Sequence, residues 1–173
     1  DKLFTHDIEN SRVSMGSGDD LLSLEGDIKY SKTFLGNGND VLEINAGYGE
    51  PGIIENSYIN LGRGDDDARI ASEVINSQIN FGDGDDVGRI YGNILNSKIS
   101  MGDGDNGFYH WSGDLIKSTI NGGGDGSYVH IQNNSINSKI SFDDSERGPN
   151  AFRIRGTFLD SSLTGSHGWE NFY

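Results

Sequence analysis

Apolar and polar residues alternate with a period of two through most of the chain, in runs of four to six broken by glycine and aspartate. NSQINFGDGDD, from Asn76 to Asp86, is typical. Ile79 and Phe81 form one rank, Gln78 and Asn80 the other, and a glycine-aspartate turn follows. The alternation then resumes with Gly88 and Ile90. Period two is the mark of a strand with one face inside and one outside. The unit recurs in register on Ser11, Ser31, Ser57, Ser77, Ser97, Ser118, Ser138 and Ser161, with spacings of 20, 26, 20, 20, 21, 20 and 23 residues. Two and four residues after the serine come Val13/Met15, Thr33/Leu35, Ile59/Leu61, Ile79/Phe81 and Ile99/Met101, all expected to face inward. After the turn come Leu22/Leu24, Leu42/Ile44, Ala68/Ile70, Gly88/Ile90 and Phe108/His110. A third short apolar step closes each unit at Ile75, Leu95, Ile116 and Ile136.

A single unit cannot bury its apolar face, but stacked units can. The expected fold is therefore all-β: a right-handed parallel β-solenoid of about seven coils of about 20 residues, with neighbouring coils ~4.8 Å apart. Residues 1–173 read as one domain, with regular repeats over 10–136 and degenerate repeats plus a cap over 137–173, the cap ending in Trp169, Phe172 and Tyr173. The longer units are expected to loop out at GYGEPG (47–52) and at 143–150. An asparagine precedes the serine at Asn10, Asn56, Asn76, Asn96 and Asn137, where stacked side-chain amides are expected to satisfy backbone groups along one edge.

Composition then raises a difficulty. Ile, Leu, Val and Phe together number 42 of 173 residues, Gly is 26, and the net charge is −14. A chain this acidic and this poor in core residues needs further stabilisation. Cysteine is absent, so disulfides cannot supply it. The charge opposes binding to nucleic acid or anionic membranes, and no apolar run is long enough for a spanning helix. The chain opens at Asp1 without Met, as expected of a mature or excised piece flanked by other domains.

Stacking sets Asp20, Asp40, Asp66 and Asp86 over one another. Two carboxylates ~4.8 Å apart at an effective dielectric near 20 repel by roughly 3.5 kcal/mol. A cation held between turns would reverse that sign. Carboxylates and glycine-rich backbone carbonyls are hard oxygen donors, which favour calcium over zinc or copper.

Gly82-Asp83-Gly84-Asp85-Asp86 resembles the GxGxD part of the RTX (repeats-in-toxin) calcium loop, GGxGxDxUx. Five turns carry the likeness: Gly16 to Asp20, Gly36 to Asp40, Gly62 to Asp66, Gly82 to Asp86 and Gly102 to Asn106. The resemblance implies that Asp20, Asp40, Asp66, Asp86 and, more weakly, Asn106 ligate ions shared between successive turns. It also implies that backbone carbonyls of Ser17, Asp19, Asn37, Asn39, Arg63, Asp65, Asp83 and Asp85 complete the shell, giving several Ca²⁺ ions in all. Ser127 takes the corresponding place in the sixth turn, with Asp125 nearby. The departures are a period near 20 instead of nine, a single acidic edge, and an apolar residue such as Phe81 in place of the loop's first glycine.

The resemblance implies a calcium-dependent structural or adhesion module of a secreted or cell-surface protein. Solenoids with coils of this length also resemble the ice-binding domains of bacterial RTX adhesins. Those carry outward Thr and Asn ranks, whereas the turn positions here read Ser17, Asn37, Arg63, Asp83 and Asp103. Glycan binding is a further alternative. Arg69, Arg89, Tyr109 and His130 are expected in one outward rank, Tyr91 and Trp111 in another, and Tyr128 beside them, a face suited to polysaccharide. Arg63-Gly64-Asp65 spells an adhesion tripeptide but lies in repeat register, as a turn. His6, His110, His130 and His167 show no catalytic spacing, and enzymatic activity is not expected.

Overall fold

A computed structural model describes residues 1–45, 51–124, 126–143 and 150–165. They form an all-β parallel solenoid with three eight-stranded sheets and no helix among them. Each coil passes once through every sheet. The fourth coil, for example, runs Asp67–Ile70, Ser72–Ile75 and Gln78–Asp83. Every pairing is parallel and joins one coil to the next, as in Asp67 to Val87 and Ala68 to Gly88. The stack has eight coils, one more than the repeat suggests. Lys2–Thr5, Ile8–Glu9 and Arg12–Ser17 already make a full first coil, and Ala151–Ile154, Phe158–Leu159 and Ser162–Thr164 make the last. The C-terminal coils keep the alternation after losing the acidic turn that makes the inner units conspicuous. The expected cap residues Trp169, Phe172 and Tyr173 lie outside the described residues, as does most of the expected loop at 47–52.

The core fills the space between the sheets, and the expected inward ranks of the inner coils are buried. The third step differs in phase. Its buried members are Ile28, Ile54, Val74, Ile94 and Leu115, while Ile75, Leu95, Ile116 and Ile136 are half-buried on the outer side. Adjacent apolar pairs such as Val74-Ile75 carry no period-two phase, so the pattern cannot assign their sides. Gly88 is small for a packing reason: a Cβ there would stand 2.7 Å from Phe81 Cζ and 3.2 Å from Phe108 Cδ2.

Three sheets give three corners, and each is stitched by a ladder of side chains to backbone. At the corner entering the third sheet, each serine hydroxyl accepts the N–H of the serine one coil earlier, as in Ser57 N to Ser77 Oγ at 3.0 Å. It donates to the carbonyl two residues back. The asparagines before these serines have φ of 48–49°, a left-handed conformation that asparagine tolerates. Their recurrence therefore follows from the backbone, and the serines carry the ladder expected of the amides; one amide pair, Asn96 to Asn76, is joined at 2.8 Å. The corner between the first and second sheets has its own ladder through Asp27, Asn93, Asp114 and Asn134, as in Thr157 N to Asn134 Oδ1 at 2.9 Å.

Candidate cation-binding turns

The third corner, from the third sheet to the first, is the glycine-aspartate turn. Its glycines stack in register, Gly62 over Gly82 over Gly102. Gly82 and Gly84 have φ of 123° and 137°, and a Cβ on either would overlap the carbonyl of the glycine one coil earlier. Only glycine combines that φ with so close an approach. The repeat GxG therefore exists to bring successive turns together backbone on backbone.

That approach buries the aspartates at the end of each turn: Asp20, Asp40, Asp66 and Asp86 are at most 3% exposed. One oxygen of each has a definite task. Asp40 Oδ1 accepts the N–H of Asp20 at 2.9 Å, Asp66 that of Asp40 at 2.8 Å, and Asp86 that of Asp66 at 2.8 Å. Asn106 Oδ1 continues the ladder to Asp86 N at 2.9 Å, Ser127 Oγ to Asn106 N at 3.1 Å, and Asn150 Oδ1 to Ser127 N at 2.9 Å. Asn150 is a member that the motif search misses, because no GxGxD precedes it. Its spacing of 23 from Ser127 equals that of Ser161 from Ser138, and register alone could have placed it.

The second oxygen, Oδ2, of all four aspartates is buried without a hydrogen-bond partner. The Asn106 turn shows what surrounds that position. Its side-chain nitrogen donates to the carbonyls of Gly104 at 3.1 Å, Gly102 at 3.2 Å and Asp103 at 3.4 Å. The strand register puts Gly62, Arg63, Gly82 and Asp83 at the equivalent places of the turns before it. An aspartate there sets an acceptor among acceptors. At Asp20 the N-terminal ammonium of Asp1 already meets Oδ1; at Asp40, Asp66 and Asp86 the orphaned Oδ2 among backbone oxygens is a ligand set that fits a cation. The glycine carbonyls seen here are absent from the sequence-derived ligand set. Of that set, the carbonyls of Asn37, Arg63 and Asp83 each accept one N–H from the preceding coil, at 2.7, 2.7 and 2.8 Å, which leaves one lone pair apiece. Among the described residues no three carboxylate or histidine side chains converge as a metal cage, so backbone oxygens must make up most of any shell.

The electrostatics agree with the shortage. Burial pushes the carboxyls of Asp66 and Asp86 up to about 7, against the downward pull of the N–H that each accepts, with neighbouring aspartates adding to the rise. Asp40 is raised for the same reasons. The outer residues of the turn differ. Asp19, Asn39, Asp65 and Asp85 are exposed, and each side chain accepts an N–H from the next coil, such as Asp85 N to Asp65 Oδ1 at 2.9 Å. Arg63 and Asp65 of the RGD triplet are both engaged, Arg63 Nε lying 3.2 Å from Asp83 Oδ2. Asp125 lies outside the described residues.

The aromatic face comes together in part. Tyr109, Trp111, Tyr128 and His130 form one cluster. Tyr109 and Trp111 stack at 5.7 Å, and Trp111 meets His130 at 5.1 Å. Trp111 nonetheless stays 40% exposed. Arg69, Arg89, Tyr109 and His130 do share a rank. Tyr91 and Trp111 do not: the register slips after Ile90, Tyr91 pairs with Ser112, and Trp111 is the extra residue of its coil. Arg89 is paired instead with Asp67 at 2.5 Å, and Tyr91 lies under Arg69.

Comparison with known protein families, with curated proteins and with solved structures finds no match.

Proposed function

We propose that this chain is a calcium-dependent structural or adhesion module of a secreted or cell-surface protein, and that its acidic turns hold calcium between coils in the manner of RTX repeats. The observation that carries the reading is the buried, unpartnered Oδ2 of Asp20, Asp40, Asp66 and Asp86, in turns whose Asn106 counterpart fills the same place with an amide donor. Asp20, Asp40, Asp66 and Asp86 would hold the ions with the neighbouring glycine-turn carbonyls. When bound, the ion supplies positive charge where the fold presents only oxygen. Calcium suits a site of flexible backbone oxygens, and magnesium, which demands a tighter octahedron, suits it less.

The consequence is linkage. An ion that binds the stacked turns and not the loose chain stabilises the folded state by its binding free energy. Extracellular calcium modules have dissociation constants of about 10⁻⁴ to 10⁻³ M, so such a chain would coil outside the cell and stay loose in low-calcium cytoplasm. The test is a far-ultraviolet circular dichroism titration of chelator-treated protein with calcium, and with magnesium in parallel. A cooperative gain of β signal specific to calcium is expected. A full β signal without calcium, with no rise in melting temperature on adding it, would refute the proposal.

A further inference from the structure

The acidic turns leave a different kind of surface on the other side of the third sheet. An open groove of about 680 Å³ runs along the serine corner, between the left-handed residues and the first outward rank of that sheet. In a chain with 27 acidic residues, no carboxylate among the described residues lines it. It carries three cations instead, Lys32, Lys98 and Lys117. Between them lie neutral groups that hydrogen-bond or stack: the amides of Asn56, Asn76 and Gln78, and the rings of Tyr30 and Tyr58. Tyr30 is 55% exposed.

Register fixes the spacing. Lys32, Tyr58, Gln78, Lys98 and Thr119 follow one another in a single rank. Three coil steps separate Lys32 from Lys98, or ~14 Å at the ordinary strand spacing. Along a nucleic-acid duplex each strand presents a charge about every 3.4 Å of axis and would set about four phosphates against those two lysines. The groove fits a chain whose charges are sparse and whose intervening groups are neutral and hydroxyl-rich.

We propose that this groove binds an extended acidic polysaccharide, its carboxylate or sulfate groups held by Lys32, Lys98 and Lys117 and its neutral hydroxyls by the amides between them. The sugar faces lie against Tyr30 and Tyr58. The site needs the folded solenoid but not any particular role for the acidic turns, which lie at another corner.

The test uses the whole chain in saturating calcium, with folding checked by circular dichroism. Octasaccharides of hyaluronan and of chondroitin sulfate supply carboxylate and sulfate, and dextran supplies a neutral chain. The variant is Lys32→Gln, Lys98→Gln and Lys117→Asn together, since Gln78 and Asn96 already occupy the same ranks. The acidic octasaccharides should bind the native chain, with affinity falling as salt is raised, and about tenfold more weakly to the variant. Failure of folded protein to bind either, equal binding by the variant, or equal binding of dextran would overturn the proposal. So would a concentration-dependent dimer in sedimentation velocity that the variant abolishes, since a second copy would then be the occupant.

Discussion

At the scale of single residues, the aspartate that ends each acidic turn is in conflict with its surroundings. One oxygen replaces a backbone bond between coils, and the other has nothing to bind. A buried acceptor without a partner costs about 1–3 kcal/mol, and more when charged. Asn106 resolves the conflict by exchanging that oxygen for an N–H donor. Asp86→Asn or Asp66→Asn should therefore stabilise the calcium-free protein, raising its melting temperature, while reducing the further rise that calcium brings. Asp66→Ala should share the loss of calcium response without the gain in stability. It deletes the acceptor of Asp40 N as well as the candidate ligand, and should lower the melting temperature in calcium and weaken calcium binding. Asp19→Ala removes an acceptor that lies in solvent, where water can take over the Asn39 N–H, and should change calcium affinity little. Equal responses of Asp66→Ala and Asp19→Ala in calorimetric titration would remove the distinction between inner and outer acids.

At the scale of the coil, the corners carry as much information as the strands. Ser77 accepts the N–H of Ser57 and donates to Ile75 O, with Ile54 O at 3.3 Å, all inside the wall of the solenoid. Ser77→Ala should orphan a buried N–H and destabilise the chain by about 1–3 kcal/mol, readable as a shifted denaturation midpoint. Gly88→Ala should cost a similar amount by overpacking, about 1–3 kcal/mol, because Phe81 and Phe108 already fill the space of its Cβ. The strands and their stacking were legible in the sequence, since period two and the serine register specify both faces of each long run. The phase of the shortest strands was not, because Val74-Ile75 and Leu115-Ile116 are apolar on both sides. The left-handed asparagines could be seen to matter, but their reason is a backbone angle that residue type only hints at. The turn aspartates were legible as a rank. What the sequence could not show was that the two oxygens of each aspartate have different fates. The slip at Trp111 was hidden in a single extra residue.

At the scale of the molecule, the stacked acidic turns stand at one corner of the solenoid and lysines line the groove beside another, so the −14 charge is not evenly spread. Its effect on stability should have an unusual sign. Asp66 and Asp86, with carboxyls near 7 in the fold against 3.8 in a loose chain, keep protons in the folded state that the unfolded chain has released. Between these two values the native state binds more protons, so stability falls as pH rises through that window. Most proteins with paired carboxylates lose stability on acidification; the calcium-free form of this one should gain it from pH 7 toward pH 4. His110 and His130, whose burial pulls them down, act in the opposite sense below about 6.5. The comparison that isolates the aspartates is therefore the native chain against Asp66→Asn/Asp86→Asn, both free of calcium, by chemical denaturation across pH. Their stabilities should converge toward pH 4 and part toward pH 7, with the variant the more stable. Calcium should flatten the native curve near neutrality, because ion and proton compete for the same oxygen. Parallel curves for the two proteins would mean that the buried carboxylates do not titrate in this range, and that another group already partners the second oxygen.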